Sequence, residues 1–139
     1  MISESRYVSH EVHTRFHAVR WVVEAFGIPK GFSGYEEYSD YLNSFVEDSG
    51  MFEEYIFDKA TGSLVAYFTW CVGTDIHRKG DILDVTQLIV DPSVAPKGLH
   101  RFLVERFEEL AKVNHCDWVS RCKHEGSTLR IFYKEINHG

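Results

Sequence analysis

The stretch Ile82–Val90 constrains the fold of this chain more than any other. Ile82, Leu83, Val85, Leu88, Ile89 and Val90 put apolar side chains on both faces of a strand, because successive residues alternate sides. A strand apolar on both faces is covered on both faces, so it belongs in the middle of a sheet with helices above and below. Asp91-Pro92 ends it. From about Lys97 to Val113 the period changes to that of a helix, with Leu99, Phe102, Leu103, Phe107, Leu110 and Ala111 on one face.

The flanking segments fill in the rest. Ser9 is placed to cap a helix running to about Phe26, with Val12, Phe16, Val19, Val23 and Phe26 on one side. Gly27 and Pro29 stop it. A second helix runs from about Tyr35 to Val46, burying Tyr38, Tyr41, Leu42, Phe45 and Val46. Phe52–Phe57 and Leu64–Val72 read as strands joined by the turn Asp58–Gly62, and Gly73–Gly80 as a polar turn. Trp118–Lys123 is a further strand, and a short one around Tyr7-Val8 precedes everything. Ser127–Asn137 fits a helix and a strand almost equally; the Ser127 cap favours a helix.

With 139 residues, the chain reads as a single domain over 1–139, large enough to fold without a metal or disulfide staple. The element order predicts an α+β fold in α/β/α layers, with a mixed, mainly antiparallel sheet. Fifteen Lys and Arg against 21 Asp and Glu give a net charge of −6, which argues against a nucleic-acid binder. No apolar run reaches the roughly 20 residues that span a bilayer. Three cysteines without a secretion signal read as reduced thiols in a cytoplasm.

The informative stretch for chemistry is Leu83–Lys112: a buried strand, a short loop with one glycine, and an amphipathic helix. Such a turn presents free backbone N–H groups at the positive end of a helix, and Lys97 and Arg101 add charge there. This is a candidate phosphate or pyrophosphate cradle; strand–turn–helix units also arise for packing alone. His10, His13 and His17 share a helical stripe, but Arg20 and Glu24 continue it, so it reads as a solvated face and not a metal site. Among His115, Cys116, Cys122 and His124, the two cysteines would lie about 20 Å apart in an extended strand, too far for one ion. Cys71 and Cys122 read as core residues, and no nucleophile-elbow or Walker pattern is present.

The stretch Val90-Asp-Pro-Ser-Val-Ala-Pro-Lys-Gly98-Leu-His-Arg-Phe-Leu resembles the acetyl-CoA motif of the GNAT superfamily of N-acetyltransferases. The element order is similar over nearly the whole chain, in the abbreviated form of small phage-encoded GNAT-like proteins. Gly98 stands where the family has its glycine; Ala95 replaces its Arg or Gln, and His100 its Gly or Ala. The tail Leu129–Gly139 looks like the family's next helix.

The resemblance implies that acetyl-CoA is held by main-chain groups of Leu88, Ile89, Val90, Lys97, Gly98 and Leu99, with His100 and Arg101 beside them. It implies Asp84 as the base and Tyr133 as the proton donor to the leaving thiolate, Gln87 holding a water, and Glu36 and Glu37 attracting a cationic amine. Plainer readings stand beside these: a strand-end charge for Asp84, core packing for Tyr133, and a solvated face for the acidic helix. Two functions follow. One is an acetyl-CoA-dependent N-acyltransferase acting on an amine of a protein or small molecule. The other is an inactive GNAT-fold binding or assembly protein, a virion component or host-directed inhibitor. A homodimer, or a protein partner at the sheet edge, is expected in either case.

Overall fold

The computed structural model of the chain describes residues 1–14, 20, 23–24, 27–91, 93–94, 96–125 and 128–138. In chain order the elements are β1 (Ile2–Tyr7), α1 (Tyr35–Ser49), β2 (Phe52–Phe57), β3 (Leu64–Asp75), β4 (Arg78–Val90), α2 (Leu99–Val113), β5 (Trp118–Glu125) and β6 (Thr128–Glu135). The strands form one six-stranded sheet in the order β1-β2-β3-β4-β5-β6. β1 and β2 pair antiparallel, β4 and β5 parallel, β5 and β6 antiparallel. The sheet is therefore mixed, as the sequence predicts. A parallel step needs a crossover connection, which α2 supplies. Among the described residues, no helix is long and apolar enough to cross a membrane.

Two compact units share these strands. The first holds residues 1–68 and 89–96. Val8, just past β1, is fully buried and donates its N–H to the Met51 carbonyl at 2.8 Å. The sequence predicts a helix beginning at Ser9, but residues 10–14 are not helical. The Ser9 hydroxyl instead accepts the N–H of Glu11 at 3.3 Å, a local turn that competes with a helix start. Arg20, Val23 and Glu24 are helical; Phe16, His17, Val19 and Phe26 lie outside the described residues. His10 and His13 are 3.3 and 3.2 Å from the carboxylates of Asp48 and Glu47.

α1 ends on Gly50 in the left-handed conformation. Only Tyr38 and Val46 of its expected stripe are buried; Tyr41 and Phe45 are 56% and 51% exposed. Phe32, in the loop before the helix, lies in tilted ring contact with Tyr38 and Tyr41 at 4.9 and 5.1 Å. The unit's sheet face carries Tyr55, Tyr67 and Ile89 in one buried cluster, with Phe57 and Leu64 packed against it.

The second unit holds residues 69–88 and 97–139. The polar turn expected over Gly73–Gly80 shrinks to Ile76 and His77, because Gly73–Asp75 and Arg78–Gly80 continue the strands. The Asp75 carboxylate accepts the His77 N–H at 2.7 Å and fixes this tip. Gly80, with φ +98°, is required: a Cβ there would lie 1.8 Å from Asp117 Oδ2. α2 buries Leu99, Leu103, Phe107, Leu110 and Ala111, most of its predicted face.

The tail is a strand, not the favoured helix. β6 runs antiparallel along β5, from Trp118 opposite Glu135 to Glu125 opposite Thr128. The ladder groups of β5 need a partner, and an eight-residue run that suits both periods supplies it. A cavity of about 130 Å³ lies under α2, lined by Val104, Phe107 and Glu108 with Val119, Arg121, Phe132 and Lys134 of the hairpin.

Candidate active site

α2 begins on Gly98, whose φ of +85° an L residue rarely adopts. The Gly98 carbonyl accepts the Phe102 N–H at 3.0 Å, the first bond of the helix. Among the described residues no side chain caps this end, and its first turn holds no acidic residue. A helix leaves its first N–H groups without intrahelical partners, and they carry the positive end of its dipole. Lys97, His100 and Arg101 are exposed around them. Arg101 also holds Glu105 at 3.0 Å, one turn along. A Cβ built on Gly98 meets nothing within 4 Å, so the turn opens outward. The His100 imidazole does not fill that opening.

The loop before this turn is built by Asp91, whose carboxylate accepts the N–H and hydroxyl of Ser93 at 2.9 and 2.7 Å. Ala95, the departure from the motif, lies outside the described residues. At the end of β4, Leu88 and Val90 are each 38% exposed, while Ile89 turns the other way into the cluster with Tyr55 and Tyr67.

Asp84 and Tyr133 come together through strand register. The sequence places Asp84 near a strand end, but β4 starts at Arg78, so Asp84 sits mid-strand. It lies opposite Ser120, and Ser120 lies opposite Tyr133. Residues directly opposite across a ladder point to the same face, so the three form one row. The buried Ser120 hydroxyl donates to Asp84 Oδ1 at 2.9 Å. The Tyr133 phenol is hydrogen-bonded to Asp75, whose carboxylate pushes its pKa up. Asp75 is itself held below the usual carboxylate range, first by the His77 N–H. The Arg78 guanidinium lies 3.5 Å from the Tyr133 ring centroid and 5.6 Å from that of Trp118.

The cysteines of this unit are not nucleophiles in waiting. Burial pushes the Cys71 and Cys122 thiols up, and the Asp84 charge adds to it. A thiol kept protonated is a poor nucleophile. Cys122 is exposed and Cys71 only partly buried, so neither is the core residue the sequence suggests. Gln87 is half-buried on β4. In the first unit Glu36 is exposed, and Glu37 accepts the Ser33 hydroxyl at 2.6 Å at the start of α1.

Sequence reasoning missed the most heavily built polar group. Glu53 of β2 is fully buried. Its carboxylate accepts the hydroxyls of Tyr55 at 2.9 Å, Tyr67 at 2.5 Å and Thr14, and Arg6, opposite on β1, stands 3.6 Å away. Glu54, also buried, faces the other way and accepts from Ser5. The signal was two adjacent acids inside a strand of aromatic and apolar residues: alternation sends one of them to each face, so a covered strand buries both.

Scanned against models of known families, the chain matches none. It is 53% identical over 133 residues to Protein 7 of Escherichia phage T7, covering 95% of this chain and 99% of that one. The chain belongs to the T7 Protein 7 family. Solved structures show what this chain's fold is similar to. A GNAT family acetyltransferase from Staphylococcus aureus superposes with a TM-score of 0.61 at 13% identity, covering 98% of this chain and 100% of its own. A ribosomal-protein-alanine N-acetyltransferase from Brucella melitensis gives 0.60 at 10% identity, over 89% and 83% of the two chains. An aminoglycoside acetyltransferase from a soil metagenomic sample gives 0.59 at 14%, over 89% and 78%. This relative of T7 Protein 7 has the acetyltransferase fold of the GNAT superfamily.

Proposed function

We propose that the chain is a GNAT-type N-acyltransferase that takes an acyl group from acetyl-CoA and passes it to an amine. The observation that carries this reading is the N-terminus of α2: uncapped, free of acid, cationic, and opening outward at Gly98. Such an end suits a pyrophosphate, which wants oriented N–H donors and positive charge. The N–H groups of Leu99, His100 and Arg101, with the Lys97 ammonium, would hold it. The main chain of Leu88 would hold the pantetheine arm. Acetyl-CoA supplies an activated thioester; the remaining chemistry is proton traffic.

Asp84 and Tyr133 are the residues for that traffic. Ser120 holds Asp84 Oδ1, so Oδ2 takes the proton of the acceptor ammonium. The Tyr133 hydroxyl, its pKa raised by its hydrogen bond to Asp75, stays protonated; it would supply the proton the departing sulfur needs and take back the second proton that the nitrogen sheds on becoming an amide. Arg78 against the ring keeps the phenol in place.

Gly98→Asp tests the cradle. Asp tolerates the left-handed conformation better than other side chains, and its carboxylate would cap α2 itself. Calorimetry should show CoA affinity falling more than tenfold while the melting temperature holds or rises. Unchanged affinity, or no heat from the unaltered chain at millimolar CoA, overturns the reading.

A further inference from the structure

β6 is one of the two edge strands of the sheet, and its residues are almost all exposed. Leu129, Ile131 and Phe132 are 49%, 51% and 47% exposed, so apolar side chains stand out on both faces. The opposite edge, β1, reads Ile-Ser-Glu-Ser-Arg-Tyr, a short polar strand of the kind that resists pairing. We propose that β6 pairs antiparallel with β6 of a second copy of this chain, in a register centred on Ile131.

Symmetry selects both the partner and the register. Two identical antiparallel strands are related by a two-fold axis normal to the sheet, so one residue lies opposite its own copy. Centred on Arg130, the two guanidinium groups face each other. Centred on Phe132, Arg130 faces the partner's Lys134, a like-charge pair made twice. Centred on Tyr133, Ile131 faces the partner's Glu135. Centred on Ile131, none of these conflicts arises. Ile131 then faces itself, Leu129 faces the partner's Tyr133, and Arg130 lies against the partner's Phe132 as a cation–π pair. One face of the joint gathers Leu129, Ile131 and Tyr133 from each copy. Because Tyr133 shares its face with Asp84 and Ser120, the partner's Leu129 would adjoin that row. The pairing closes by two-fold symmetry and leaves only the polar β1 strands as edges.

The proposal is independent of acyl transfer, since a monomer can bind CoA and a dimer can fail to. Sedimentation velocity of the full chain should give a species of twice 16.1 kDa at tens of micromolar. Hydrogen exchange at alternate β6 amides should slow as concentration rises. Ile131→Lys, at a half-exposed position, would oppose two ammonium groups across the axis and should give a folded monomer by circular dichroism. Ile2→Lys, on the opposite edge, should leave the dimer intact. A chain monomeric at every concentration, a dimer that survives Ile131→Lys, one lost with Ile2→Lys, or free exchange along β6 would each overturn it.

Discussion

Glu53 shows how much one residue can commit. A fully buried carboxylate survives only if its lone pairs are used, and here three hydroxyls and a guanidinium surround it. Removing one partner of such a group is costlier than the group itself is stabilising. Glu53→Ala should cost about 3–5 kcal/mol in urea unfolding, because the Arg6 charge and two phenols lose their acceptor. Tyr67→Phe, which deletes a single donor, should cost about 1–2 kcal/mol. Equal costs for the two would mean that the carboxylate is not the hub. Gly80 makes a second commitment at this scale. Gly80→Ala combines a positive φ with a collision against Asp117, so it should lower the melting temperature well beyond an ordinary surface substitution.

At the scale of elements, helical periodicity named faces, and the structure divided them differently. In α2 the predicted stripe and the buried stripe nearly coincide, since a helix crossing between parallel strands must lie against the sheet. In α1, Tyr41 and Phe45 carry the same period but stay exposed. Phe107→Ala should therefore cost about 3–5 kcal/mol, while Phe45→Ser should fall within about 0.5 kcal/mol of no change. A thermal melt of each variant checks the contrast; a large loss at Phe45 would return α1 to the face that periodicity suggests. β6 shows the limit of periodicity. Leu129, Phe132, Tyr133 and Ile136 satisfy one period, and Leu129, Ile131 and Tyr133 the other. Only the ladder of β5 chooses between them.

For the whole molecule, the same carboxylate ties stability to alkaline pH. Burial, and then the Glu53 charge, pushes Tyr55 up to about 12 and raises Tyr67 further. An unfolded tyrosine ionises near 10, so between pH 10 and about 12 the unfolded chain has lost protons that the folded chain keeps. Stability is thus full below pH 10 and falls as pH rises through that window. Urea midpoints taken at pH 9 to 12 should decline, and Tyr55→Phe should flatten the decline. A midpoint that holds steady to pH 12 contradicts the buried phenols.

Local sequence determined the central strand, the helix after it, the turn at Gly98 and hence the family resemblance, because each is written in side-chain period and backbone freedom over neighbouring residues. Asp84 and Tyr133 were named only through that resemblance. Tertiary structure decided what no local pattern encodes. It set the tail as a strand, brought Asp84 and Tyr133 into one row through Ser120, and gathered Arg6, Thr14, Tyr55 and Tyr67 around Glu53. The reason is physical: register and burial depend on which distant segments supply hydrogen bonds and exclude water, and those segments meet only once the sheet has formed.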